Sequence, residues 1–219
     1  MSNIPKIKKV YQDKNSEAWN KLCDYIDFVE KEGIEEFEPR QKLGNELFSE
    51  IQVLPKSISK LKNIKTLHLY GSNLIQIPPE IGEMESLRTF IPYTSYKLHW
   101  YPYEIINCTT INKSTVSTRA LYGNYNTKLK FPDLTLETVK YFDTEIVKCS
   151  ICKKEINYSE TDQYWISLVI ATDLLPLLVN TCSEICKGQI ITSHPHYSHL
   201  QHPPHKGGNN STVLSLFKF

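Results

Sequence analysis

The chain of 219 residues holds no run of about eighteen apolar residues, the length a helix needs to cross a bilayer. No transmembrane helix and no membrane partner are therefore expected. The opening stretch, MSNIPKIKKVYQDKN, is polar and has no apolar signal core. Neither sign of charge is in excess: 25 Lys and Arg stand against 24 Asp and Glu, a formal net charge of +1. That balance argues against a protein held on phosphate backbones by bulk charge. No glycine-rich phosphate loop, GxSxG elbow or HExxH helix occurs, so the common signatures of nucleotide, esterase and metalloprotease chemistry are missing. No small-molecule substrate is evident, and the expectation is a cytoplasmic protein that is not an enzyme. In that compartment six cysteines stay reduced, and clustered ones read as metal ligands before disulfides.

What is present is a repeat. Ile51, Leu54, Pro55, Ile58, Leu61, Ile64 and Leu67 recur 23 residues later as Leu74, Ile77, Pro78, Ile81, Met84, Leu87 and Phe90. A third turn follows at a step of 24, with Leu98, Tyr101, Pro102, Ile105, Cys108 and Ile111 in the same places. Periods of this length mark stacked repeats that build a solenoid, and solenoids mostly bind partners. The pattern LPxxIxxLxxLxxLxLxxxxL resembles leucine-rich-repeat proteins of the 23-residue LPxxI type, over roughly residues 43–122. The resemblance implies an α/β fold: a short leucine-rich-repeat solenoid with parallel strands on its concave face, around Leu67–Leu69, Phe90–Pro92 and Ser114–Val116. Two departures stand out. The family's turn-bridging Asn is Ser72, Ser95 and Arg119 here. Pro92 falls on a strand position, where it cannot donate to the ladder.

Ahead of the repeats, Trp19, Leu22, Ile26 and Val29 recur at helical spacing from Ser16, with Tyr25 and Phe28 widening the face and Gly33 as the stop. This helix is expected to cap the first repeat. The organisation reads as an N-terminal segment and capping helix (1–42), repeats (43–122), a connector (123–145), a cysteine module (146–190) and a His/Pro-rich tail (191–219).

KCSICKK carries Cys149 and Cys152, and NTCSEICKG carries Cys182 and Cys186. A tight CxxC turn with a distant second pair suits tetrahedral zinc. The second pair sits at an expected helix start, with Ser183 as N-cap and Glu184 in the first turn. Between the pairs, DQYWISLVIATDLLPLLVN reads as two strands broken near Thr172–Asp173. Knuckle, hairpin and ligands at a helix start resemble a treble-clef zinc finger, although that family's second pair is usually CxxC. The resemblance implies a small α+β module stapled by a structural zinc, with no open metal position for catalysis. Two other readings stay open: four cysteines in an ordinary core, or a CxxC redox pair. Nucleases sharing the treble clef place a His between the Cys pairs, and residues 153–181 contain none.

Outward strand positions bring His68, Tyr70, Ile91 and Tyr93 together on the concave face, with Tyr96, His99 and Trp100 beside them. Tyr101, in the register of Leu54 and Ile77, is expected to be buried. Tyrosine and tryptophan concentrate binding energy at interfaces, so His68, Tyr70, Ile91, Tyr93, Tyr96 and Trp100 form the candidate surface for a protein partner. The competing reading is that another part of the chain covers these rings. A nucleic-acid-binding zinc finger using Lys148, Lys153 and Lys154 is the alternative function. His194, His196, His199, His202 and His205 crowd the tail, which reads as an extended segment wrapping the surface or as disorder, with metal binding as a further option.

Overall fold

The structure, a computed structural model, describes residues 7–117, 131–170, 173–191 and 204–208. Helix α1 (Glu17–Glu32) begins and ends where the residues direct. The Ser16 hydroxyl accepts from the Trp19 amide at 3.2 Å, and Gly33, at φ 64, turns its N–H back to Glu30 and Val29. Ala18, Leu22, Ile26 and Val29 are buried, and Tyr25 stacks on Phe37 with centroids 4.9 Å apart. Phe28 does not join that face. It stays exposed, with the Lys42 ammonium 5.2 Å from its ring.

Strands β1 (Glu36–Phe37), β2 (Thr66–His68), β3 (Thr89–Ile91) and β5 (Lys113–Ser114) form a parallel sheet in the order β1-β2-β3-β5. Thr66 pairs with Thr89 and Thr89 with Lys113, so the sheet steps by the same 23 and 24 residues as the sequence pattern. The strands start one residue earlier than expected, and β3 ends before Pro92. After each proline of the repeat the chain enters a 3-10 turn: Lys56–Lys60, Pro79–Glu83 and Tyr103–Asn107. The inward residues Leu67, Leu69 and Phe90 are fully buried, as alternation along a strand requires.

Strand β1 lies ahead of residue 43, at the start of EEFEPRQKLGNELFSEIQVLP, which reads as a degenerate first repeat. Its Phe37 pairs with Leu67, thirty residues on, because α2 (Pro39–Leu43) and α3 (Asn45–Ser49) fill the return path. A longer return destroys the spacing without disturbing the pairing.

The two serines at the expected Asn positions are buried and bridge neighbouring turns. Ser72 Oγ lies 2.7 Å from Ser95 Oγ, the Ser72 amide donates to Ser95 Oγ, and Ser95 Oγ donates to the Leu69 carbonyl. One turn further, Ser117 Oγ accepts from the Thr94 amide at 2.7 Å. Arg119 lies outside the described residues. The chain bends here through positive φ, at Gly71 (φ 65) and at Thr94 (φ 58).

A second sheet closes the far end, with Asp173–Thr181 lying between Tyr101–Pro102 and Asp162–Ile170. Strands β8 (Asp162–Ile170) and β9 (Asp173–Thr181) make a hairpin, and β9 runs parallel to β4 (Tyr101–Pro102), with Tyr101 beside Leu177. Side chains alternate between two cores. Tyr164, Ile166, Leu175, Leu177 and Val179 join the core that begins at α1, whereas Trp165 and Leu178 join a second cluster with Trp100, Tyr141 and Tyr158. The cysteine region therefore shares its core with the repeats.

Of the tail, residues 204–208 run along β8. The backbones of His205 and Trp165 exchange hydrogen bonds at 2.8 and 3.1 Å, and Lys206 pairs with Asp162. His194, His196, His199 and His202 lie outside the described residues. No helix among the described residues is long and apolar enough to cross a membrane.

Candidate metal centre

Strands β6 (Ile146–Lys148) and β7 (Glu155–Asn157) form a short antiparallel hairpin, and its tip is the CxxC turn. The turn is closed by Cys149 N–H to the Lys154 carbonyl at 2.8 Å and Lys153 N–H to the Cys149 carbonyl at 3.0 Å. Lys153 sits at φ 65, an uncommon conformation for a side chain with a Cβ. Ser150 locks the turn to β9: its amide donates to the Asn180 carbonyl at 2.7 Å, and its hydroxyl accepts from the Asn180 amide at 3.1 Å. The other half follows β9 directly. Cys182 leaves the strand, Ser183 caps α4 (Glu184–Gly188) by accepting from the Cys186 amide at 3.2 Å, and Cys186 lies in the first turn of that helix.

These two halves bring Cys149, Cys152, Cys182 and Cys186 together. All four sulfurs lie within 4.8 Å of one another, with Cys152–Cys182 at 3.5 Å and Cys182–Cys186 at 3.6 Å. A tetrahedron with zinc–sulfur bonds of about 2.3 Å has edges of about 3.8 Å, so the donor set fits a zinc-sized ion. All four are free thiols, and Cys152 is exposed while Cys149 and Cys186 are buried. An exposed member is not what a set of core-filling cysteines would show. The spacing of four between Cys182 and Cys186 follows from the cap residue and the first helical turn lying between them.

The local electrostatics favour one thiolate. Burial pushes the Cys149 thiol up, but the amides of Cys152, Ile151 and Cys182 point at it and bring it down to about 7. Cys182 moves the other way, to about 12, because the neighbouring Cys152 and Cys186 sulfurs crowd it. A divalent cation among four sulfurs removes that conflict by stabilising every thiolate at once.

The candidate partner surface is only partly as expected. Tyr70 and Tyr93 are neighbours, with ring centroids 5.9 Å apart, and both are exposed, as is Tyr96. His68 and Ile91 are half-buried beside them. Arg40, from α2, places its guanidinium 5.3 Å from the Tyr70 ring. His68 faces Glu38 and Glu36 across β1, at 3.5 and 4.0 Å. Trp100 does not belong to this surface. It is 2% exposed and packs on Tyr141 and Trp165, because β4 turns the chain toward β9 at this point. His99 is also buried, with Nε2 3.0 Å from the Tyr96 carbonyl, while Tyr101 is buried as expected. Of the lysines in the alternative reading, Lys153 donates to the Ser150 carbonyl at 2.7 Å and lies 3.8 Å from Glu104.

No family model, no curated protein and no solved structure matches this chain.

Proposed function

We propose that the protein is a non-enzymatic binding scaffold: a short leucine-rich-repeat solenoid, capped by α1 and closed by a treble-clef-like module with a structural zinc on Cys149, Cys152, Cys182 and Cys186. It recognises a protein partner through the open face of its parallel sheet, in the cytoplasm. The agreement between the sequence period and the strand register supports the repeat reading. The four-sulfur cluster supports the zinc. The observation that carries the function is the exposed Tyr70–Tyr93 pair on the sheet face, with Tyr96 adjacent. Such rings expose large apolar area to water without serving a core, and they contribute most where a partner desolvates them. Arg40 on one side and Glu36 and Glu38 on the other supply a polar rim.

The test is affinity capture from the source cells with wild-type protein and with the Tyr70→Ala/Tyr93→Ala/Tyr96→Ala variant, alongside metal analysis of untagged protein purified without added zinc. The expected result is a partner retained by the wild type and lost by a folded variant that still carries one zinc. Equal capture by both would remove the surface assignment. Nucleic-acid binding through Lys148, Lys153 and Lys154 is the weaker reading, since Lys153 is already engaged with Ser150 and Glu104. Salt-sensitive binding of DNA or RNA would revive it.

A further inference from the structure

The edge of the parallel sheet carries a second group of metal-type side chains, apart from the cysteines. Glu36 Oε2 and Glu38 Oε1 both face one atom, His68 Nε2, at 4.0 and 3.5 Å. One donor atom from each of the three lies within 4.8 Å of those of the other two. The sheet explains how they meet. Residues two apart along a strand share a face, which puts Glu36 and Glu38 on one side of the edge. Glu36 pairs with Thr66 in the ladder, and His68 follows two residues later on the same strand. Glu38 is held from behind, its amide donating to the Tyr25 hydroxyl at 3.3 Å, with Pro39 next in the chain. The side chains of Glu36, Glu38 and His68 are 63%, 36% and 30% exposed, so an ion from solvent can reach all three.

A plain ion pair does not account for this spacing. A protonated imidazole would draw one carboxylate oxygen to about 2.7–2.9 Å, whereas one nitrogen here stands farther than that from both. A metal ion does account for it. With bonds of about 2.0–2.2 Å to nitrogen and oxygen, a tetrahedral ion sets its donors about 3.4 Å apart. The His68–Glu38 separation matches that edge, and rotation of the exposed Glu36 side chain brings its oxygen in. The basic residues beside the group are engaged elsewhere. Arg40 donates to Asn45 Oδ1 at 2.7 Å and stacks on Tyr70, and Lys65 pairs with Glu35. Two carboxylates this close repel, and a divalent cation between them turns that repulsion into attraction.

We infer that Glu36, Glu38 and His68 form a binding site for a divalent first-row metal ion of the zinc class, on the open face of the sheet. The imidazole nitrogen sets the class, because magnesium and calcium take oxygen donors while zinc, cobalt and nickel accept nitrogen. Three protein donors leave a fourth position for water. The site shares no residue with the cysteine cluster, so it stands or falls independently of the structural zinc.

The test is titration of the full chain, with whatever metal its cysteines hold, with zinc chloride, following the ring resonances of His68 by NMR. Those resonances are assigned by their absence in His68→Gln, and magnesium chloride is the control. The tail histidines report any zinc of their own through separate resonances. A saturable change at His68 with zinc and not with magnesium is expected. The apparent affinity should fall about tenfold or more in Glu36→Gln and in Glu38→Gln, at least the loss that removing an outer-shell partner of a metal ligand brings. Both positions are accessible on the surface, so the variants should fold, and an unchanged urea midpoint checks that they do. No saturable change at His68, an equal change with magnesium, zinc taken up by the tail histidines alone, or unchanged affinity in either variant would overturn the inference.

Discussion

Ser72 and Ser95 hold their hydroxyls 2.7 Å apart inside the loop stack, 23 residues apart in sequence. Each also serves backbone groups: Ser95 accepts from the Ser72 amide and donates to the Leu69 carbonyl, and Ser72 accepts from the Leu74 amide. The pair ties neighbouring turns together through hydroxyls alone. Ser95→Ala removes a buried acceptor and a buried donor together. The expected loss is about 2 kcal/mol, read as a lower urea midpoint with an unchanged slope. Ser72→Ala should cost less, and the double variant less than the sum, because the two share one bond.

Cys152 separates a metal ligand from a core cysteine. It is exposed, so as a plain surface thiol its replacement by Ser would change stability by about 0.5 kcal/mol or less. As a zinc ligand the same change removes one of four bonds in a site whose metal binding is coupled to folding. The expected outcome is loss of most bound zinc and a drop in thermal midpoint that matches the drop caused by chelating the wild type. Retained zinc with an unshifted midpoint would sink the metal assignment.

Trp100 distinguishes burial from binding. With its ring against Tyr141 and Trp165, Trp100→Ala leaves a cavity between the β4 segment and the β8–β9 hairpin. The expected cost is about 3–5 kcal/mol, measured by urea unfolding followed by tyrosine and tryptophan fluorescence. Tyr96→Ala, at an exposed ring, should change stability by about 0.5 kcal/mol or less. Comparable stabilities for the two variants would place Trp100 on the surface after all.

The two aromatic residues also show what the sequence makes legible. Register along the repeat placed Tyr70 and Tyr93 on the open face and Tyr101 in the core, because a fixed period and strand alternation determine which way a side chain points. Trp100 lies where the repeat ends and a new sheet begins, so its direction depends on β9, which lies more than seventy residues later and is joined to Tyr101 by a parallel ladder. The first repeat, EEFEPRQKLGNELFSEIQVLP, was legible only as degenerate, and its β1 fell ahead of the boundary at residue 43, because the return to β2 is helical and longer than the period. The four cysteines were legible because CxxC turns and a capped helix start are local features. The burial of Glu104 beside Glu80 and Tyr141 was not. Each glutamate occupies an ordinary solvent-type position of its repeat, and only the packing of residues 141–155 against those turns removes water from them.

Gly82 tests that packing directly. A methyl group there would meet the Glu104 carbonyl oxygen and Cβ at 2.4 and 2.8 Å, and the contact is with backbone that cannot swing aside. Gly82→Ala should therefore destabilise by about 1–3 kcal/mol, although alanine is ordinarily the better helix former. A thermal midpoint equal to or above that of the wild type would show that the two turns do not approach this closely in solution.

Glu104 couples stability to pH. Burial pushes its carboxyl above the usual carboxylate range, and Lys153 draws it back only in part. The folded state thus holds a proton that the unfolded chain has already released. Over the window from the ordinary carboxylate value up to the raised one, unfolding releases that proton, so this group's contribution to stability falls as pH rises. Glu104→Gln keeps the shape and removes the titration. The difference in unfolding free energy, variant minus wild type, should therefore grow in the variant's favour as pH rises above the ordinary carboxylate value. Chemical denaturation of both proteins across that range gives the measurement. A constant difference would mean that Glu104 is ionised and adequately paired throughout, by Lys153 or by a cation that travels with the protein. Metal-free and metal-loaded samples should be compared in parallel, because Lys153 belongs to the cysteine turn and its reach toward Glu104 depends on how that turn is held.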